Sequence, residues 1–336
     1  MNDLITSKED KSVALRLWGL GGSRRSLWCS INKNDYLDLV DLSIVQRKKN
    51  VPVASISLIK RSYIFNNKKV IIYAMHRMIS YKDSGNLLFN ILVSICSRKN
   101  DHFIASTANK KGSALYKRVG FVEAQQNIFL HTYLLNPVYL PMLIIFASST
   151  LIKNIFIRII KVLLPIFYYK KCYSSIKIKL ENHIQLRKSN YMKEPNSTTI
   201  DWECNVLSKY LDSLIKGFRL NFCALKKKNG EEFSLLITTR FNHIWRSCTI
   251  ADSTYKKIDF LQILEKCRSR LVLNCLSSGA IRLYIRSIDS NPPLKCVSFI
   301  HIKKQKTSNL ILNGQSYFSK LNEQDLLSSL HGDSFL

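Results

Sequence analysis

The stretch 107–121 gathers the residue types with the clearest chemical potential. Asn109 stands at a predicted helix start and Tyr116 follows two turns later on nearly the same face. Gly120 and Phe121 then end the helix and return the chain to a strand. A phenolic hydroxyl carried on such a helix can donate a proton to a departing group. Upstream, Lys82, Asp83, Ser84, Gly85, Asn86 and Leu87 fall between a β-branched strand and a helix with an apolar stripe. Gly85 lets the backbone approach a ligand, Lys82 adds positive charge, and a helix N-terminus offers free N–H groups to an anion. His76 lies on the strand that enters this turn. An imidazole there can act as a base or order a water, although a single strand histidine is more often a hydrogen-bonded core residue. In the second half, Asp252 follows a predicted strand and precedes a helix, which suits an N-cap or turn residue. Its functional reading is a substrate contact in a groove between the halves. His131 and Tyr133, on the strand that closes the first half, read as structural.

Metal chemistry is not indicated. The nine cysteines are dispersed without a CxxC pair, the closest two being Cys267 and Cys275, and no His/Cys cluster has zinc spacing. Such a set argues for reduced thiols in a cytosolic compartment. Residues 1–11 are polar and acidic, with no apolar core behind a basic head, so secretion is not expected.

The order Asn109, Gly112, Leu115, Tyr116, Gly120, Phe121 resembles the Asn-x-x-Ala-x-x-Leu-Tyr-x-x-x-Gly-Phe signature of the GNAT acyltransferase superfamily, with Gly112 in place of the small Ala. The resemblance implies an acyl-CoA cosubstrate, acetyl-CoA or another. Asn109 would contact the pantetheine arm and Tyr116 would protonate the departing thiolate. Lys82, Gly85 and Asn86 stand where the family's Arg/Gln-x-x-Gly-x-Gly/Ala turn binds the pyrophosphate. Two departures are Asp83, an anion beside the phosphates, and Leu87, bulky where the family has Gly or Ala. The second half has neither signature: 253–257 stands in the place of the cradle without a glycine. Its tail, 330–335, resembles the Asp-containing ends of paired-lobe bacterial members that act in cell-surface polysaccharide assembly. An amine acceptor on an amino sugar or lipid-linked precursor would fit. Paired lobes also occur in peptidoglycan-bridge enzymes that take an aminoacyl group from tRNA, which keeps a tRNA-dependent transferase open. A third reading is a non-catalytic scaffold that binds an anionic surface or nucleic acid.

The elements that must position these residues read as α/β (α+β), with two lobes built on mixed, mostly antiparallel sheets. Residues 1–137 form the first lobe, 138–200 a basic linker and 201–336 a second, degenerate lobe. In the first, strands are expected at 36–45, 51–58, 70–80 and 103–106, a hairpin turn at 66–69, helices at 84–97 and 109–119, and one closing strand over 121–135. In the second, helices are expected at 206–216 and 258–275. Its strands fall at 221–225, 233–239, 243–251, 281–288, 295–302 and 309–312. The linker holds ten basic and two acidic residues. Its stretch 141–164 alternates an apolar stripe with Lys153, Arg158 and Lys161 and suits either an inter-lobe helix or a helix lying on a membrane surface. With 51 Lys+Arg against 23 Asp+Glu, the formal charge is +28. That field attracts nucleic acid, anionic lipid or phosphate-bearing substrates, and AT-rich compositional drift explains it as well. The expected location is cytosolic, with peripheral contact at the inner membrane face as the linker's second reading.

Overall fold

The computed structural model describes residues 8–21, 37, 40–81, 85–98, 100–106, 110–124, 127–141, 173–176, 180–191, 198–202, 220–227, 232–242, 245–254, 257–307, 309–313, 317 and 319–321. The first sheet begins as a three-strand meander, β1 (Leu42–Lys48), β2 (Val51–Phe65) and β3 (Lys68–Ser80). Its two turns follow from sequence. Lys49-Asn50 and Asn66-Asn67 all have positive φ, as two-residue hairpins require and as asparagine tolerates. β2 runs well past 58, the expected end of this strand, and Arg61 is buried within it. A helix not foreseen from sequence, α1 (Lys8–Gly19), packs one apolar face on this meander through Val13, Ala14, Leu15 and Leu17.

After β3 come α2 (Gly85–Cys96), β4 (His102–Ser106) and α3 (Lys110–Arg118), close to the predicted positions. Leu88, Ile91, Leu92 and Ile95 recur at helical spacing and are the buried face of α2. Gly120 has φ +99°, the left-handed stop that its place after α3 demands.

The closing strand expected over 121–135 is instead two strands in two sheets. β5 (Val122–Glu123) stays in the first, while β6 (Ile128–Leu135) joins the second. The second sheet takes β7 (Tyr173–Ile176) from the linker. It continues with β9 (Leu220–Lys227), β10 (Glu232–Asn242), β11 (Trp245–Ser253), β12 (Ala280–Ser287) and β13 (Phe299–Thr307). Other linker elements are a 3-10 turn (Pro137–Tyr139), α4 (Leu180–Tyr191) and β8 (Thr198–Ile200), which pairs with β2. The long α5 (Lys257–Ser278), expected at 258–275, covers the second sheet with Leu264, Cys267, Leu271 and Leu276. The expected helices at 141–164 and 206–216 lie outside the described residues.

The last strand, β14 (Asn309–Leu312), returns to the first sheet. It inserts between β4 and β5, as β6 inserts between β12 and β13. Each lobe therefore supplies the strand that completes the other. Both sheets are antiparallel except for one parallel pair each, β3–β4 and β11–β12. A shared cluster with Leu15, Tyr63, Ala74, Ile104, Trp202, Leu236 and Ala251 lies between the sheets and joins them. Two others lie under α2 and α3 and under α5.

Candidate active site

The first sheet opens at one place. β3 and β4 pair in parallel at Ile72–His102, Tyr73–Phe103 and Ala74–Ile104, and the pairing ends there although both strands run on. At the same level β3 bulges. Ser57 faces His76 and Ser55 faces Ile79, so Ile56 stands opposite both Arg77 and Met78. Arg77 has φ +48°, and its guanidinium lies 3.7 Å from the ring centroid of Trp18 on α1. A bulge increases local twist and re-aims side chains, which accounts for a strand leaving its neighbour. The split lies at the carboxyl ends of the parallel pair, where α/β sheets hold ligands. α2 and α3 start from these ends, and neither has an acidic residue in its first turn.

The predicted residues fall around this split as follows. Tyr116 is 4% exposed, with its ring 5.0 Å from that of Phe121. It belongs to the cluster under α2 and α3 together with Met75 and Ala105, the residues directly after the last paired positions. His76 is buried, and strand alternation sets it on the opposite face from Met75, the side of the shared inter-sheet cluster. Gly85 and Asn86 are exposed at the start of α2. Among the described residues, a side-chain carbon at Gly85 would meet nothing within 4 Å. Lys82 and Asn109 lie outside the described residues.

Asp252 does not join this group. It is neither N-cap nor turn; it sits inside β11 and is buried against α4. Its Oδ2 lies 2.9 Å from His183 Nε2 and 3.2 Å from Arg187 Nε. The other ring nitrogen of His183 bonds the Ser234 hydroxyl. Trp202 stands edge-on to His183 at 5.5 Å, and its neighbour Asp201 accepts from Ser62 Oγ at 2.8 Å and pairs with Lys69 at 3.1 Å. Two polar groups, one on β2 and one on β11, thus flank the Trp202 ring. The order Ser234, His183, Asp252 matches a nucleophile, base and acid, but all three side chains are buried, and burial suits a sheet-to-helix clamp. Sequence reasoning missed His183, Arg187, Ser234 and Trp202. The available signal was the four-residue spacing of His183 and Arg187, which places both on one helix face.

The second sheet repeats the split. Pairing of β11 with β12 ends at Thr249–Tyr284, and Ala251 is bulged between Ile250 and Asp252. No helix follows β12, however; the chain runs through 288–298 directly to β13. The second lobe therefore lacks the counterpart of α3 and Tyr116. His131 and Tyr133 fit their structural reading: His131 Nδ1 is 3.2 Å from His301 Nε2, and the Tyr133 hydroxyl accepts from Leu294 N–H at 3.0 Å. Burial pushes the Tyr133 phenol up to about 12. Among the described residues no group of three or more His, Cys, Asp or Glu could hold a metal.

A bulged strand, its splayed parallel neighbour and a helix after each define the GCN5-related N-acetyltransferase (GNAT) fold in the first lobe, and the second lobe repeats it without the last helix. A tandem GNAT protein of the clavulanic acid biosynthesis pathway superposes with TM-score 0.53 at 9% identity, over 90% of this chain and 94% of that one. A conserved Enterococcus faecalis V583 protein of unknown function, a probable N-acyltransferase, gives TM-score 0.53 at 10% identity, over 94% and 73%. The GCN5-related glucosamine N-acetyltransferase region of a fungal multi-domain GH3 β-N-acetylglucosaminidase gives 0.52 at 14% identity, over 91% and 37%. No protein-family model and no curated protein matches the sequence.

Proposed function

We propose that this protein is an acyl-CoA-dependent N-acyltransferase whose reaction takes place at the split of the first sheet. The observation that carries the reading is the end of β3–β4 pairing at Ala74 and Ile104, with Tyr116 in the cluster that lines it from the α3 side. The residues present suit a phosphate-bearing thioester. A Cβ at Gly85 would meet no described atom within 4 Å, the first turn of its helix has no acid, and such an N-terminus favours a pyrophosphate.

The thioester supplies an activated acyl carbon and a thiolate leaving group. Lys82, Gly85 and Asn86 hold its phosphates, and Asn109 fixes the arm. As the acceptor nitrogen bonds the acyl carbon and the C–S bond breaks, Tyr116 gives its phenolic proton to the sulfur. On the other face of β3, His76 takes the proton that the amine loses. Tyr116 comes from α3 on one side of the sheet and His76 from the other face of β3, which keeps the donor and acceptor roles apart. Asp252 would act at a distance, holding α4 through Arg187 at the edge of the inter-sheet space, where the acceptor would enter.

The acceptor is an amine, and we favour an amino sugar or a lipid-linked precursor. The amino-sugar activity named for the fungal neighbour supports that choice. Tyr116→Phe tests the mechanism. Turnover should fall about 10²–10⁴-fold, the range for loss of a general acid, with little change in acyl-CoA affinity. Unaltered turnover would remove Tyr116 from the reaction.

A further inference from the structure

One surface outside the split combines apolar and basic side chains. Of the nine large hydrophobic side chains exposed among the described residues, five lie on two adjoining segments. Val138 (77% exposed) and Leu140 belong to the 3-10 turn and its exit; Val297 (85%), Ile300 and Ile302 belong to β13 and its approach. The segments are fastened together. Asn136 N–H donates to the Ser298 carbonyl at 2.9 Å, and Asn136 Nδ2 donates to the Val297 carbonyl at 2.8 Å. The Tyr139 and Ser298 hydroxyls are 3.2 Å apart. Scattered exposed aliphatics need no explanation, but a contiguous set does. Along β13, Lys303, Lys304 and Lys306 continue the same exposed strand.

The geometry points to an anionic lipid bilayer as the partner of this surface. β13 is the outer strand of the second sheet, where a second copy could add a strand, but two features oppose that. A bulge at Ile302 interrupts the ladder, since His301 pairs with Tyr133 and Lys303 with Thr132, and lysines on an edge discourage strand addition. A nucleic acid would use the lysines and leave the aliphatic side chains wet. A bilayer uses both, with valine and isoleucine at the acyl boundary and lysines at the lipid phosphates. The chain leaving this surface has the same complement: residues 138–180 contain no Asp or Glu. The inference stands apart from the acyl-transfer reading, because it rests on different residues.

Vesicle flotation of the full chain tests it. Wild type should float with phosphatidylcholine–phosphatidylglycerol vesicles far more than with phosphatidylcholine alone, and high salt should release it. Combined Lys303→Gln, Lys304→Gln and Lys306→Gln should weaken partition about hundredfold. Combined Val138→Ser, Val297→Ser and Ile302→Ser should weaken it at least about tenfold. Since these side chains are exposed, melting should not change. Should a triple variant melt early, Val297→Asp and Lys304→Glu singly provide the readout. Three results would overturn the proposal: no flotation with anionic vesicles, wild-type flotation of the variants, or binding to duplex RNA in place of vesicles.

Discussion

A chain ended after Thr307 is expected to lose cooperative melting and the structure of the first lobe, although everything removed belongs to the second half of the sequence. β14 pairs with β4 from Asn309–Ser106 to Leu312–Phe103 and with β5 through Leu310 and Ile311, so without it β4 has an open edge and β5 has no partner strand. Leu310, Ile311 and Leu312 are buried in the shared cluster and the cluster under α2 and α3. At about 2–5 kcal/mol for each such aliphatic lost, their sum rivals a whole domain's stability of about 5–15 kcal/mol. Asn313 ties the same corner down, donating to the carbonyl of Asp101, 212 residues earlier. Thermal melting by circular dichroism checks this. A truncated chain that melts cooperatively at the wild-type temperature would contradict the exchange of strands.

The second large effect is expected at Asp252. Asp252→Ala removes the carboxylate that faces both the buried Arg187 guanidinium and His183 Nε2. Breaking a buried pair from one side costs about 3–5 kcal/mol, roughly 10 °C of melting temperature for a chain of this size. Arg187→Met in the same background should restore part of the loss, because the buried guanidinium that faced the carboxylate is then gone too. A double-mutant cycle by denaturant unfolding measures that coupling. Simple additivity of the two variants would mean that Asp252 and Arg187 are not an energetic pair.

These two cases also mark the limits of the sequence. Local elements were legible because their signals are local. The Asn66–Asn67 turn, the α2 stripe from Leu88 to Ile95 and the Gly120 stop each follow from spacing and backbone preference. Tyr116 and Gly85 were singled out in the same way, as residues at fixed offsets on a helix–strand frame. Periodicity reports which face of a strand is buried, not which sheet the strand joins. So β6 and β14 were recognised as strands, but their exchange was not, and 121–135 read as one strand. Asp252 read as a cap because its partners, His183 and Arg187, are far away in sequence on α4. The split between β3 and β4 depends on a bulge at Arg77, a non-glycine residue with positive φ, and nothing in its residue type announced that conformation.

The account depends most on whether the helix start at Gly85 holds acyl-CoA. Titration calorimetry with acetyl-CoA on the wild type and on Gly85→Trp addresses it directly. A Cβ at 85 would meet no described atom within 4 Å, so the substitution sets an indole at the helix start proposed for the cosubstrate without a clash at its first carbon. The expected result is a binding heat with the wild type that disappears in Gly85→Trp, with melting unchanged. No heat with the wild type, or equal heats from both proteins, would contradict an acyl-CoA site at this turn.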